Sequence, residues 1–352
     1  MKRNKIFLFA TLLLAIIAII LVLTSKKSTL NDEFSVKNPE TITKLFLADK
    51  TNKSVLLEKQ PDESWLINKK YPAQQEVVET MLTTLNEMRV REPVAKAAYG
   101  TIYRRMGFQN TKIEIYQTCY RINLFGKIKL FKHEKLTKSF YVGDETQDNM
   151  GTYMMMVDNK VPYVINIPGF RGFLSPRFSA REEDWRTHLI FNHKISDIRS
   201  VTVEVPRYPN LSFRIDRNQR QFTLTLLQGN HVVPAFDTLK VVDFMSSFSN
   251  IGLEAYRNNV DKAQRDTIFT KAPMQIVTLT DMKGKKITLK TYPKPIEQAF
   301  LNENNELMRE FDKDRLYALI NDDKDVALIQ YPLFDRILKT ADYFYPQHVD
   351  KK

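Results

Sequence analysis

Two stretches of the chain that lie 164 positions apart read alike: residues 153–160 are YMMMVDNK, and residues 317–324 are YALINDDK. Each runs into a second apolar segment, PYVINIPGF at 162–170 and VALIQYPLF at 326–334, with proline and phenylalanine at matching places. Short apolar segments separated by Asp, Asn and Lys are typical of β-hairpins. A match sustained over this length predicts two copies of one structural unit.

The segments before these stretches extend the repeat toward the N-terminus. Residues 42–49 (ITKLFLAD) and 198–204 (IRSVTVE) share an alternating strand pattern, and each is followed by two more strand-like segments. A helix is predicted from about residue 72 to 90, and Asp237 is placed to cap its counterpart. The apolar positions of the two helices are Val77, Val78, Met81, Leu82, Leu85 and Met88, and Val241, Val242, Met245 and Phe248.

The fold class predicted from this pattern is α+β. It consists of an N-terminal transmembrane helix followed by two tandem, duplicated modules, each a mainly antiparallel β-sheet with packed helices. The predicted divisions are a cytoplasmic tail (1–5), a transmembrane signal anchor (6–23), a tether (24–40), a first repeat (41–180), a linker (181–195), a second repeat (196–345) and a tail (346–352).

The predicted anchor rests on an unbroken apolar run at residues 6–23. As a helix, this run would span about 27 Å, close to the hydrocarbon thickness of a bilayer. Basic residues flank it, and no small-residue cleavage site follows, which favours an uncleaved anchor over a removed signal peptide. The stronger charge before the run predicts a single-pass protein of the bacterial inner membrane with most of the chain in the periplasm.

The net charge of +12 is concentrated at the flanks of this run and at residues 119–138, so it does not indicate nucleic-acid binding. In the second region, lysines alternate with Ile128 and Leu130. One interpretation is a strand that buries one face and presents a basic contact surface to anionic headgroups or an acidic partner. The alternative is an edge strand protected by its lysines. The residues of the predicted basic surface are Arg121, Lys127, Lys129, Lys132, Lys135 and Lys138.

The sequence offers little that points to catalysis. With only 10 glycines, it contains no G-x-x-x-x-G-K-[ST] or G-x-G-x-x-G phosphate loop. Cys119 lies in an alternating strand pattern, as expected for a structural thiol. The densest acidic cluster, Glu182, Glu183 and Asp184, is flanked by arginines and is interpreted as part of the linker. We therefore predict no enzyme activity, no catalytic residues, no cofactor and no metal.

Several short segments resemble one known family. They are YVGD at 141–144, GTYM at 151–154 and IPGF at 167–170, together with WLIN at 65–68 and FLAD at 46–49. In these segments the chain resembles single-anchor Gram-negative envelope proteins that are grouped as a domain of unknown function. Some of those proteins are associated with ABC-type transporters of the gliding-motility kind. The resemblance implies an accessory envelope role and no catalytic residues.

The function predicted from these features is a non-enzymatic, membrane-anchored periplasmic scaffold or adaptor that acts by protein contact. Its partner would be an inner-membrane or periplasmic protein, such as part of a transport or motility assembly. Two alternatives stay open at this stage. The first is an envelope module that binds a glycan or lipid in a cleft between the repeats. The second is a hydrolase of envelope polymers.

Overall fold

The computed structural model describes residues 11–12, 14–15, 32–124, 128–159, 161–301 and 307–346. The chain divides into two compact units, Met1–Thr187 and His188–Lys352. This division falls inside the segment predicted as the linker. The cytoplasmic tail, residues 24–31 of the tether and the last residues of the C-terminal tail lie outside the described residues.

The first unit contains a long antiparallel sheet. Its strands in chain order are β1 (Ile42–Asp49), β2 (Ser54–Lys59), β3 (Trp65–Ile67), β4 (Tyr71–Pro72), β5 (Arg89–Pro93), β6 (Thr111–Leu124), β7 (Ile128–Glu145), β8 (Thr152–Met156) and β9 (Pro162–Asn166). Their order across the sheet is β4-β3-β2-β1-β6-β7-β8-β9-β5. The alternation in β1 has the expected effect, because Ile42, Leu45 and Leu47 are buried.

The second unit contains a sheet of the same design. Its strands are β10 (Leu189–Phe191), β11 (Ile198–Glu204), β12 (Phe213–Asn218), β13 (Gln221–Leu226), β14 (His231–Val232), β15 (Ile251–Gly252), β16 (Ala255–Tyr256), β17 (Gln275–Asp281), β18 (Lys286–Leu301), β19 (Leu307–Ile320) and β20 (Asp325–Gln330). The main sheet has the order β14-β13-β12-β11-β17-β18-β19-β20-β16, and β10 pairs with β15 in a small separate sheet.

The two main sheets correspond strand by strand, from β4 and β14 at one edge to β5 and β16 at the other. The ladder between β1 and β6 shifts register next to Ile42, and the ladder between β11 and β17 shifts next to Ile198. Even this irregularity therefore occurs at corresponding places. Both units have the mainly antiparallel α+β arrangement.

Helices pack in both units. They are α1 (Gln75–Glu87) and α2 (Tyr99–Phe108) in the first unit, and α3 (Thr238–Ser246), α4 (Lys262–Phe269) and α5 (Tyr331–Phe334) in the second. Helix α1 begins later than predicted because Pro72 belongs to β4. Asp237 caps α3 as predicted, since its side chain accepts hydrogen bonds from the backbone N–H groups of Leu239 and Lys240.

Each unit has its own apolar core. In the first, α1 buries Val78, Met81 and Leu85 in the cluster that includes Leu45 and Ile115. In the second, aromatic rings meet edge to face: the Phe244 ring centroid lies 5.7 Å from Phe213, 5.3 Å from Phe248 and 5.3 Å from Phe344. Such ring pairs add to the stabilisation that burial alone provides.

The predicted transmembrane helix requires a correction. Crossing a bilayer takes about 20 consecutive, mainly apolar helical residues. No helix in the described part of the chain has that combination of length and apolar character, and even α1 has only 13 residues. Of the predicted anchor 6–23, only residues 11, 12, 14 and 15 are described. The prediction of an N-terminal transmembrane helix, and with it that of a single-pass inner-membrane protein, is therefore wrong.

Candidate contact surface

Strands β6 and β7 continue together beyond both of their neighbours. The ladder between β1 and β6 ends at the pair Ile42–Gln117, and the ladder between β7 and β8 begins at Phe140. Past these points β6 and β7 still pair with each other, from Thr118–Glu134 onward. We call residues 118–124 and 128–137 the ribbon. It is a two-stranded extension of a sheet that is otherwise supported on both sides.

The local sequence accounts for this extension. Apolar and polar residues alternate on both sides of the Phe-Gly-Lys segment at 125–127. The pairs are symmetric about that segment, with Ile122 opposite Leu130 and Tyr120 opposite Lys132. Cross-strand pairs of this kind hold a hairpin together. Two strands without a third are only marginally stable in water, so the ribbon depends on its root in the sheet.

The apolar residues of the ribbon are open to solvent. Ile122, Ile128, Leu130 and Leu136 are between 39% and 52% exposed, and Phe131 is 66% exposed. The prediction that Ile128 and Leu130 face a buried side is therefore wrong. A strand buries a face only where another layer packs on it, and no described layer covers this part of β6 and β7.

Four residues of the predicted basic surface, Arg121, Lys129, Lys132 and Lys135, are exposed on the ribbon. The Lys129 ammonium lies 5.6 Å from the centre of the Tyr120 ring. Lys127 lies outside the described residues. Strand β7 is not an edge strand of the sheet. Within the ribbon, however, neither strand has an outer neighbour, so these lysines also meet the condition for edge protection.

Lys138 does not belong to the exposed basic surface. Its side chain is half-buried at the root of the ribbon, where Nζ donates hydrogen bonds to the backbone carbonyls of Asp32, at 3.3 Å, and Glu33. Burial lowers the pKa of this ammonium below its usual value. Lys138 thus attaches the segment before β1 to the sheet.

The described part of the ribbon has a single carboxylate, Glu134, and it is already paired. It accepts hydrogen bonds from Lys44 Nζ at 2.8 Å and Thr43 Oγ1 at 2.7 Å. The bonds from Lys44 and then Thr43 lower the pKa of Glu134, and the bond to Glu134 raises the pKa of Lys44. The four exposed basic side chains are left without a neutralising acid on the described part of the ribbon.

This pairing predicts a small, pH-dependent effect for Glu134→Gln. We expect the free energy of unfolding at neutral pH to fall by less than about 1 kcal/mol, because the pair is partly exposed. Because the pKa of Glu134 is lowered in the folded protein, its carboxylate stabilises the fold at pH values above the ordinary pKa of the group. This stabilisation is lost as the pH falls through the lowered pKa. Denaturant unfolding at several pH values should show the two proteins converging in acid. A constant difference would contradict the pairing.

Several residues of this surface were not predicted from the sequence. Tyr120, Ile122 and Leu136 contribute to it, and the register places Cys119 directly opposite His133. The symmetry of the alternation about residue 126 is the signal that could have identified these pairs.

The corresponding hairpin of the second unit is short. Strand β17 pairs with β18 up to Thr280–Lys286, and residues 281–285 form the turn. The long hairpin of that unit is instead the one between β18 and β19. The ribbon is therefore a feature of the first unit and not a general consequence of the shared strand order.

These observations define a protein of two α+β units with matching antiparallel sheets, the first of which has a projecting, basic and apolar ribbon. The chain belongs to the family described as Domain of unknown function (DUF4340), which matches residues 65–271. The matched region starts at β3 in the first unit and ends just after α4 in the second. A search of curated proteins found no match. A search of solved structures also found none.

Proposed function

We propose that this chain is a non-enzymatic adaptor that acts by protein contact, and that the ribbon is its contact surface. The observation that carries the proposal is the joint exposure of apolar and basic side chains on a two-stranded extension. Protein interfaces combine an apolar centre with a polar rim, and the ribbon offers both.

The apolar residues provide a reason to bind. Burying a Leu or Ile side chain fully contributes about 1.5–3 kcal/mol, and Ile122, Ile128, Leu130 and Leu136 are each only partly buried. A partner that covers them recovers part of this free energy. It also supports a hairpin that has no other strand beside it.

The charge and the open edges indicate what kind of partner fits. Unneutralised guanidinium and ammonium groups favour an acidic surface, which also speeds association. The outer edges of the ribbon present backbone groups to which a further strand can add. A protein segment with acidic residues satisfies both features. A membrane surface could take up the charge and the apolar side chains, but it has no backbone groups to pair with the open edges.

The resemblance to envelope proteins associated with gliding-motility-type ABC transporters suggests where such a partner would be found. We include a component of a transport or motility assembly in the proposal on that ground.

Charge reversal on the ribbon tests the proposal. A photo-crosslinking amino acid at Leu130 should give a discrete protein adduct in cells, and the acidic partner segment should be identifiable in it. The triple variant K129E/K132E/K135E should reduce the adduct at least about tenfold, because attraction becomes repulsion. If the lysines only protected the ribbon edge, the glutamates would keep that edge charged, and the amount of adduct would not fall.

The second unit offers a matched control. Lys283, Lys285 and Lys286 are exposed at the corresponding short hairpin, and K283E/K285E/K286E should leave the adduct unchanged. An adduct that survives reversal on the ribbon would contradict the proposal. The proposal would also be contradicted if the purified chain bound anionic vesicles, lost this binding when the ribbon charges were reversed, and formed no protein adduct.

A further inference from the structure

The second unit has a projecting hairpin of its own. The ladder between β17 and β18 ends beside Thr291, and the ladder between β19 and β20 ends beside Arg315. Past these points β18 and β19 still pair with each other. We call residues 293–301 and 307–314 the arm. Like the ribbon, the arm is a two-stranded extension of a sheet whose root is supported on both sides.

The charge of the arm is opposite to that of the ribbon. The sequence from 293 to 314 contains six acidic and three basic residues. At the root of the arm, Lys294 Nζ lies 3.6 Å from a carboxylate oxygen of Asp312, and both side chains are largely buried. The charges of this pair offset each other, so the acidic excess belongs to the rest of the arm.

Strand β19 presents carboxylates and an aromatic ring side by side. Glu310 and Asp314 are exposed, and neither forms an ion pair with another described residue. Phe311 follows Glu310 directly and is 42% exposed. Lys313 is also exposed and offsets one of the two carboxylates. This part of the arm therefore has the apolar and charged character of a protein contact surface, with the sign of charge that the ribbon lacks.

The backbone of the arm favours contact through side chains. Pro293 and Pro295 have no N–H groups, so they cannot donate to a strand added beside β18. On β19, the side chain of Asp312 already accepts hydrogen bonds from the backbone N–H groups of Asp314 and Arg315, at 2.9 Å and 3.2 Å. A partner of this part of the arm is therefore recognised mainly by its charge and its apolar groups.

We propose that the arm of one copy of this chain binds the ribbon of a second copy. The inference rests on the proposed function, because it takes the ribbon as the contact surface and names its partner. Glu310 and Asp314 meet the lysines of the ribbon, and Phe311 covers part of its exposed apolar side chains. The contact gives each two-stranded extension a support that it does not have by itself.

Every copy has one ribbon and one arm. Two copies that exchange both contacts form a closed pair, and copies that each make one contact on either side form a head-to-tail row. In both arrangements a chain with a reversed ribbon still has an arm of the original charge. This property allows the contact to be broken in two variants and restored by mixing them.

The test measures self-association of the purified full chain by sedimentation velocity over a range of concentrations. We expect the wild-type chain to associate. The variants K129E/K132E/K135E and E310K/D314K should each raise the dissociation constant at least about tenfold, because attraction becomes repulsion. An equimolar mixture of the two should associate again, since the acidic ribbon of one variant then meets the basic arm of the other. Recovery on mixing also shows that both variants are folded.

A matched control reverses two carboxylates elsewhere in the second unit. Asp243 on α3 and Asp266 on α4 are exposed, and D243K/D266K changes the net charge by the same amount as E310K/D314K. This control should associate with the affinity of the wild-type chain.

The inference is overturned if the wild-type chain stays monomeric, if its association survives either reversal, or if the mixture fails to associate. The photo-crosslinker at Leu130 separates this failure from failure of the proposed function. A monomeric chain that still forms a charge-dependent adduct with another protein in cells overturns the inference and leaves the adaptor proposal standing. If reversing the ribbon changes neither self-association nor the adduct, both are overturned.

Discussion

Replacing Phe244 by alanine is expected to destabilise the second unit by about 3–5 kcal/mol. Phe244 is 1% exposed and meets three other phenylalanine rings edge to face. The substitution removes these contacts and leaves a cavity that a sheet-and-helix core can close only in part. Hydrogen exchange of peptides from residues 198–346 in the full chain measures the loss.

The same helix contains the control for this substitution. Leu239 lies on α3 with 81% of its surface exposed, so Leu239→Ala should change the stability by less than about 0.5 kcal/mol. If Phe244→Ala cost less than about 1 kcal/mol, the aromatic cluster would not be the centre of the core described above.

Removing all of the ribbon except Leu136 and Thr137 is expected to weaken partner binding strongly while the fold persists. Residues 117–135 can be replaced by DMKGK, the five-residue turn at 281–285 that closes the corresponding hairpin of the second unit. The pair Tyr116–Leu136 then takes the place of the pair Thr280–Lys286. We expect affinity for the partner captured at Leu130 to fall by at least about 3 kcal/mol, or about a hundredfold.

The cost of this graft to stability should be modest. The ribbon contributes no residue to the apolar core of the first unit. What is lost is mainly the contact of Glu134 with Lys44 and Thr43 and the side-chain hydrogen bonds of Gln117 with Thr41 and Thr137. Partly exposed pairs such as the first contribute at most about 1 kcal/mol. A melting temperature within a few degrees of the wild-type value would show that lost binding is not lost folding.

Much of the sheet architecture could be predicted from the sequence. Alternation identified β1 and β11, and helical spacing identified α1 through Val78, Met81 and Leu85. These signals are local, because each depends on which face of one element is buried. Asp237 was likewise recognisable as a cap because its chemistry and position suffice.

The ribbon could not be predicted because its character depends on its neighbours. Whether Ile128 and Leu130 are buried is decided by whether another part of the chain packs over the faces of β6 and β7 at this point, and no property of the segment itself reports this. For the apolar run at 6–23, hydropathy predicted a membrane helix that no described helix supports.

The central claim, that the ribbon is the contact surface of an adaptor, is tested most directly by one affinity measurement. The partner captured from Leu130 is titrated against the full-length chain, the DMKGK graft and the K283E/K285E/K286E control under the same conditions. We predict binding at unchanged affinity for the control and a loss of about a hundredfold for the graft. Equal affinity of the wild-type chain and a folded graft would contradict the claim.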